Sequence, residues 1–202
     1  MAKKTERRPS ARERLLAASD ELFYNEGIHT VGIDRVIEKA DVAKGSLYYN
    51  FAGGKDELVE TYLFNRHQLW MQTVQTGVDA ATDPQDKILA VFDVLGELFA
   101  RPDYRGCAFM NATAEAKAGS PEDKAAAKFR GWVHELFFGL ATNAGAPDPR
   151  DLADQLVVLY DGATTASQMD KTVAPAGTAR RMAALVLAAT LGTHELAAAT
   201  PR

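Results

Sequence analysis

Lys44, Gly45 and Ser46, two tyrosines, and then Gly53, Gly54 and Lys55 fall within one short stretch, AKGSLYYNFAGGKDEL at 43–58. Ammonium, hydroxyl and glycine N–H groups are the donors that hold phosphate. These residue types therefore suit either a loop that cradles a nucleotide or a short helix that lies against DNA. Spacing decides against the loop. A G-x-x-x-x-G-K-[ST] loop needs a glycine five residues before its Gly-Lys pair and a hydroxyl directly after it. Tyr49 and Asp56 occupy those positions here, and no strand-like alternation precedes them.

Other chemistry is thinly represented. HELFF at 134 and HELAA at 194 begin like H-E-x-x-H, but Phe138 and Ala198 stand where the second histidine must be, so neither supplies a zinc-binding pair. His29, His67, His134 and His194 are scattered, and Cys107 is the only cysteine. A single thiol in an apolar stretch is more often buried and inert than nucleophilic, although a redox-sensing role stays open for it. There is no G-x-S-x-G and no G-x-G-x-x-G. No catalytic residue, metal ligand or cofactor is expected, and the chain reads as a non-enzyme.

The elements that must position the 43–58 array are helical throughout. Ser10 with Glu13 forms an S-x-x-E capping box, and Leu15, Leu16, Ala18, Ser19, Leu22 and Phe23 follow at helical spacing up to Gly27. A second, short helix carries Ile33, Val36, Ile37 and Ala40 on one stripe. A third runs from Lys44 to about Phe51 with Leu47 and Phe51 inward, and Gly53-Gly54 ends it. Six more helices are expected: about Lys55 to Gly77, from TDPQD to Ala100, CAFMNATAEAKA, from Ser120-Pro121 and its acids to NAGAPDP, Asp151 to Lys171, and Thr178 to Ala199. The fold class is all-α, with nine helices and no sheet.

The 202 residues can bury a full core, and a single cysteine excludes an intrachain disulfide and suits a reducing cytoplasm. MAKKTERRPS is basic but lacks a following apolar run, and MAALVLAATLG at 182–192 is too short to span a bilayer, so a cytoplasmic protein without membrane association is expected. The net charge of −4 is uneven. Residues 1–55 hold 10 Lys and Arg against 8 Asp and Glu, and the remainder holds 13 against 19, giving +2 and −6. A mildly basic end on an acidic body permits a local nucleic-acid footprint.

For the array itself, a purely structural helix pair would leave Lys44, Ser46, Tyr48, Tyr49 and Asn50 on an outer face, an unusually dense set of donors with paired tyrosines. A helix-turn-helix explains them better. Two helices of about two turns meet at a steep angle, and the second presents its N-terminal residues to the major groove. Lys44 and Ser46 then reach base edges, Gly45 lets the backbone come close, the tyrosine hydroxyls meet phosphate, and Lys55 joins helix amides as a phosphate donor.

Residues 10–60 resemble the DNA-binding domain of tetracycline-repressor (TetR) type transcriptional regulators. Val42, Lys44, Gly45, Ser46, Leu47, Tyr48, Phe51, Lys55 and Leu58 follow that family's pattern in order. Three positions depart from it: Gly32 replaces a capping hydroxyl, Asp41 a turn glycine, and Asn50 a frequent histidine. One residue is added between Phe51 and Lys55. The resemblance implies a nine-helix architecture. Residues 1–55 are the helix-turn-helix domain, with 1–9 a basic flexible arm, and 56–202 form an effector-binding and dimerisation domain. The expected DNA-binding set is Lys44, Gly45, Ser46, Tyr48, Tyr49, Asn50, Lys55, Thr30 and Arg12.

A homodimer on a palindromic operator is implied, because one short helix reads few bases and a two-fold pair reads two half-sites. The eighth helix offers Leu152, Leu156 and Leu159 on one stripe, and the ninth offers Met182, Leu185, Val186, Ala189, Thr193 and Leu196. The ninth is apolar over more of its circumference than one stripe needs. Trp70, Phe92, Tyr104, Phe109, Met110, Asn111, Trp132 and Tyr160 are the expected lining of a pocket for an unknown, largely apolar small-molecule effector. The competing function is a helical small-molecule or redox sensor, or interaction protein, with a vestigial helix-turn-helix.

Overall fold

The computed structural model describes residues 8–114 and 116–198, with side chains through residue 192. Residues 1–7 of the expected arm, and the side chains of Thr193, His194 and Leu196, lie outside it. Among the described residues there are nine helices and no strand: α1 (Ala11–Glu26), α2 (Ile33–Ala40), α3 (Lys44–Asn50), α4 (Gly54–Ala80), α5 (Pro84–Phe99), α6 (Ala108–Thr113), α7 (Pro121–Asn143), α8 (Pro149–Asp170) and α9 (Ala174–Ala198).

The helix starts follow from capping chemistry. The Ser10 hydroxyl accepts from the Glu13 N–H while the Glu13 carboxylate accepts from the Ser10 N–H, completing the capping box at α1. Asp83 and Asp148 accept from amides in the first turns of α5 and α8, each followed by a proline. The ninth helix begins at Ala174, four residues before the expected Thr178. Pro175 falls in its first turn, where the missing N–H of a proline costs nothing. The sixth helix ends at Thr113, well short of the expected AKA.

The described chain divides into two compact units. One holds the residues up to Arg66 together with Ala108–Ala126; the other holds His67–Cys107 and the residues from Ala127 onward. The division falls after Arg66, eleven residues beyond the expected Lys55, and the first unit also takes in α6 and the start of α7 as far as Ala126.

In the first unit α1 packs on α2 and α3. Leu15, Ala18, Leu22, Phe23, Val36, Ala40, Leu47, Phe51, Leu58 and Leu63 are buried. Phe23 meets Tyr62 edge to face with centroids 5.6 Å apart. Arg66 grips Asp20 with both ends of its fork, Nε–Oδ1 2.7 Å and Nη2–Oδ2 2.8 Å, and stacks its guanidinium 4.1 Å from the Tyr24 centroid. Burial works against the charge of Arg66, but Asp20 outweighs it and the pKa is raised.

In the second unit α9 packs against α5 and α8, around Ile88, Phe92, Leu95, Leu152, Leu156, Tyr160 and Leu187. Gly77 lets α4 approach α5 closely, since a Cβ there would lie 2.3 Å from Val94 Cγ2. No helix of the described residues is long and apolar enough to cross a membrane.

Candidate nucleic-acid interface

Leu47 and Phe51 anchor α3 from below, both fully buried. Everything else on this helix is thereby turned outward. Lys44 and Gly45 are exposed, Ser46 and Asn50 half-buried, Tyr48 is 50% exposed and Tyr49 90%. An aromatic left almost wholly in water gives up its burial energy, about 1.5–3 kcal/mol for a large apolar side chain. The fold gains nothing from Tyr49 that would offset this.

Lys44 is held by Asp34 of α2, Nζ–Oδ1 2.9 Å. The hydrogen bond to Asp34 and the attraction of its charge raise the pKa of Lys44, so it is a fixed cation. Both side chains are exposed, and such a pair is exchanged for a phosphate or a base edge at little cost. Asn50 Nδ2 donates one of its two hydrogens to the Ser46 carbonyl at 2.7 Å and keeps the other for a second acceptor. A Cβ built at Gly45 meets nothing within 4 Å, so no neighbour within the chain requires a glycine there.

The turn after α3 is set by Gly54, whose φ of +62° places it in the left-handed region. Its N–H donates to the Phe51 carbonyl at 2.9 Å. The Gly53 N–H donates to Glu57 Oε2 at 2.9 Å, so the glycine pair starts α4 and delivers Lys55 into its first turn. Lys55 is half-buried. Arg12 is exposed and lies 4.8 Å from the Phe51 centroid, a cation on a buried ring. Arg12 and Lys55 have no ion pair among the described residues, whereas Arg8, Arg14, Arg35, Lys39 and Lys44 each have one. Thr30 is exposed in the loop between α1 and α2.

Two supporting residues escaped the sequence reading. Arg14 reaches from α1 to the end of α2, where its Nη1 donates to the carbonyls of Ala40, at 2.8 Å, and Asp41. Those carbonyls have no partner within their own helix. Asp41 itself caps α2 at φ 51°, ψ 55°, the left-handed conformation an aspartate tolerates in place of glycine, and its carboxylate takes Arg8 at 3.0 Å. Only the basic residue types of Arg8 and Arg14 were visible beforehand; their targets lie 33 and 26 residues away.

The expected pocket residues separate. Trp70, Phe92, Tyr104, Trp132 and Tyr160 belong to the second unit. Trp70 Nε1 donates to Tyr160 Oη at 3.0 Å, and Phe137 bridges Phe92 and Tyr160 at centroid distances of 5.9 and 6.0 Å. Burial pushes the Tyr160 phenol well above its ordinary value, with the nearby Cys107 adding to the shift, so Tyr160 is a neutral hydroxyl. His67 lies against Phe129 and Trp132 at 5.6 and 5.5 Å, and burial lowers its pKa. Phe109, Met110 and Asn111 sit on α6 in the first unit. Phe109 is buried, but Met110 and Asn111 are exposed, contrary to an interior lining. A helix of six residues turns only one narrow side inward. Gly106, just before it, has φ +93° and is buried; a Cβ there would lie 2.2 Å from Gln168 Oε1.

The expected dimer stripe on α8 needs correction. Leu152 and Leu156 are fully buried within the chain and Leu159 is half-buried, so they serve its own core. The outward side of α8 is instead a shallow groove lined by Val158, Gly162, Thr165, Ala166 and Met169, with Asp161 and Asp170 beside it. Val158 is 68% exposed and Met169 75%. On α9, Met182, Leu185 and Ala189 are exposed and Val186 half-buried. The two helices pack together.

Comparison with known proteins agrees with this geometry. The sequence model of the family described as "Bacterial regulatory proteins, tetR family" matches residues 15–62. The HTH-type transcriptional regulator LmrA of Bacillus subtilis (strain 168) is 34% identical over 80 residues, 40% of this chain and 43% of that protein, so the match spans less than half of that relative. Two solved structures match over nearly the whole chain. SCO4454, a TetR-family transcriptional regulator from Streptomyces coelicolor, has a TM-score of 0.84 at 31% identity, covering 89% of this chain and 95% of that one. The putative regulator sav143 from Streptomyces avermitilis has a TM-score of 0.80 at 28% identity, covering 90% and 98%. With a full-length relative above 30% identity and the family's pattern placed on an outward-facing α3, the chain belongs to the TetR family of transcriptional regulators.

Proposed function

We propose that this protein is a ligand-responsive repressor that grips a near-palindromic operator as a homodimer and releases it when a small, largely apolar effector occupies the second unit. One observation carries the reading: Leu47 of α3 and Phe51 at its end are spent on burial, which leaves Lys44, Gly45, Ser46, Tyr48 and the 90%-exposed Tyr49 on the outer face. Lys44 and Ser46 read base edges. Tyr48, Tyr49, Asn50, Lys55, Thr30 and Arg12 hold sugar and phosphate on either side.

The α8–α9 surface supports the homodimer. Val158, Met169, Met182 and Leu185 form an apolar face that a second copy covers, and the small Gly162 and Ala189 permit close helix approach. Val158→Glu is expected to raise the dimer dissociation constant at least about tenfold, since each two-fold contact buries the new charge twice. Sedimentation equilibrium checks it; an unchanged assembly state would exclude this face. The Trp70–Tyr160 hydrogen bond among aromatic rings supports an apolar effector site with a polar tip. Both α4 and α7 begin in the first unit and continue into the second, so an effector that prefers one helix arrangement biases operator affinity.

Selection of bound duplexes from random DNA tests the central claim. A two-fold-symmetric consensus is expected. On that consensus, Lys55→Ala should flatten the slope of log affinity against log salt by about one per protomer while keeping the preferred sequence. Recovery of no consensus would point instead to a sensor whose helix-turn-helix no longer reads DNA.

A further inference from the structure

Asp34 puts a carboxylate beside the helix that is to meet DNA. It stands in the first turn of α2 and accepts a hydrogen bond from Lys44, in the first turn of α3, with Nζ–Oδ1 2.9 Å. Both residues belong to the first unit. The two side chains stay mostly in water, Lys44 at 64% exposed and Asp34 at 78%, so the pair adds little to stability. Leu47 and Phe51, fully buried, hold α3 in place without it. The cations of α2 itself are engaged on α1 instead: Arg35 holds Glu26 and Lys39 holds Glu21. The ground beside the pair is open, since a Cβ at Gly32 or at Gly45 would meet no atom within 4 Å.

A carboxylate near a phosphate backbone is repelled, and it is tolerated at close range only where it finds a donor. Duplex DNA offers such donors in the major groove, as the amino groups of cytosine and adenine. Lys44 spends one of its three ammonium hydrogens on Asp34 and keeps two. Asp34 Oδ2 takes no hydrogen bond among the described residues and can accept one. Side by side, the pair presents two donors and then an acceptor. On the edge of a G·C pair, guanine N7 and O6 are two acceptors beside the cytosine amino donor, which is the complementary order. An A·T pair runs acceptor, donor, acceptor, so the adenine amino group would stand where the second Lys44 hydrogen needs an acceptor.

We propose that Asp34 and Lys44 read one G·C base pair in each half-site as a unit, with Lys44 on guanine N7 and O6 and Asp34 on the cytosine amino group. The assignment rests on the DNA-reading role given to α3 above and adds to it a residue of α2. Asp34 is specificity-determining: it disfavours any duplex that brings an acceptor or a phosphate to its place and favours one that brings an amino group.

The full-length protein and the consensus duplex selected from random DNA provide the test. Each selected cytosine is replaced in turn by N4-methylcytosine, which keeps the base pair but puts a methyl group in place of the outward amino hydrogen. At one position in each half-site this should weaken wild-type binding about fivefold or more. Asp34→Ala should melt like the wild type, bind the methylated and plain duplexes alike, and bind unselected DNA more tightly, because one negative charge per protomer is gone. Lys44→Ala should lose its base preference at that same pair. A wild type indifferent to methylation at every cytosine overturns the role of Asp34, and that arm needs no variant. So does a methylation effect that persists in Asp34→Ala, or a Lys44→Ala preference lost at a different pair. A consensus insensitive to methylation would remove this assignment alone, whereas recovery of no consensus would remove the function proposed above and the assignment with it.

Discussion

Replacing Gly45 with leucine is expected to leave the folded protein intact and to weaken operator binding by roughly 100-fold or more. Nothing within the chain opposes the change. A Cβ at this position meets no atom within 4 Å, and the residue lies in the first turns of α3 on the exposed side. Leucine is also the better helix former, by somewhat under about 1 kcal/mol. The melting temperature should therefore hold or rise. In the complex the same side chain stands between the helix and the groove. The helix must back away by the width of a methyl group or more, and the contacts of Lys44 and Ser46 on either side lengthen with it. Each lost base contact costs about 1–3 kcal/mol, and a two-fold operator counts it twice. Gly45→Ala should fall between. Fluorescence anisotropy on the selected duplex, paired with thermal melting, separates the two effects. Wild-type affinity in a folded Gly45→Leu protein would mean that the N-terminal edge of α3 does not face DNA.

How far this was legible in the sequence depended on the range of the interaction. The α1 cap, the apolar stripe of α2 and the inward pair Leu47 and Phe51 are local patterns with a three-to-four-residue period, and the structure places them as expected. The left-handed Asp41 stands where the family pattern has a turn glycine, so the resemblance rather than a local period pointed to that turn. Arg14 reaching the end of α2, Arg66 gripping Asp20, and His29 facing Glu122 join residues 26, 46 and 93 apart. No local period encodes such pairs. The α8 stripe shows a subtler limit. That helix is apolar on two sides, and periodicity says that Leu152, Leu156 and Leu159 share one side without saying which side meets the chain's own core. The fold buries the larger leucines and leaves Val158, Gly162 and Met169 outside. Met110 and Asn111 are exposed for a reason composition does not carry: a six-residue helix turns one side inward, and Phe109 and Ala112 occupy it.

These long-range contacts give the DNA-reading face its order. Asp34 orients Lys44, and Arg12 rests on Phe51. On the proposed function, the cations that meet DNA are thus held at defined places before it arrives, which lowers the ordering cost of association. Arg8, Arg14, Arg35 and Lys39 are spent on carboxylates and carbonyls of the scaffold. The count of ten Lys and Arg in residues 1–55 therefore overstates what is free to meet phosphate; among the described residues 8–55, Arg12 and Lys55 are the cations without an ion pair.

Phe51→Ala should cost the first unit about 3–5 kcal/mol, the range for deleting a fully buried aromatic ring. That is a large part of the roughly 5–15 kcal/mol by which domains are stable. Phe51 closes α3: its N–H donates to the Leu47 carbonyl at 2.7 Å, its carbonyl accepts from the Gly54 N–H at 2.9 Å, and its ring is fully buried. Removing the ring opens a cavity where α3 meets α4 and takes away the surface on which Arg12 rests. Phe51→Leu keeps most of the volume and should cost under about 1.5 kcal/mol, yet it too deprives Arg12 of the ring. The two variants therefore separate packing from positioning. The alanine variant is expected to lower the urea midpoint sharply and to bind DNA only where it remains folded. The leucine variant is expected to fold almost as well as wild type but to lose about two- to fivefold in affinity, the worth of an exposed cation–π contact. Equal DNA affinity for folded Phe51→Leu and wild type would show that Arg12 reaches phosphate without help from the ring. An unchanged urea midpoint in Phe51→Ala would show that α3 is held by something other than this side chain.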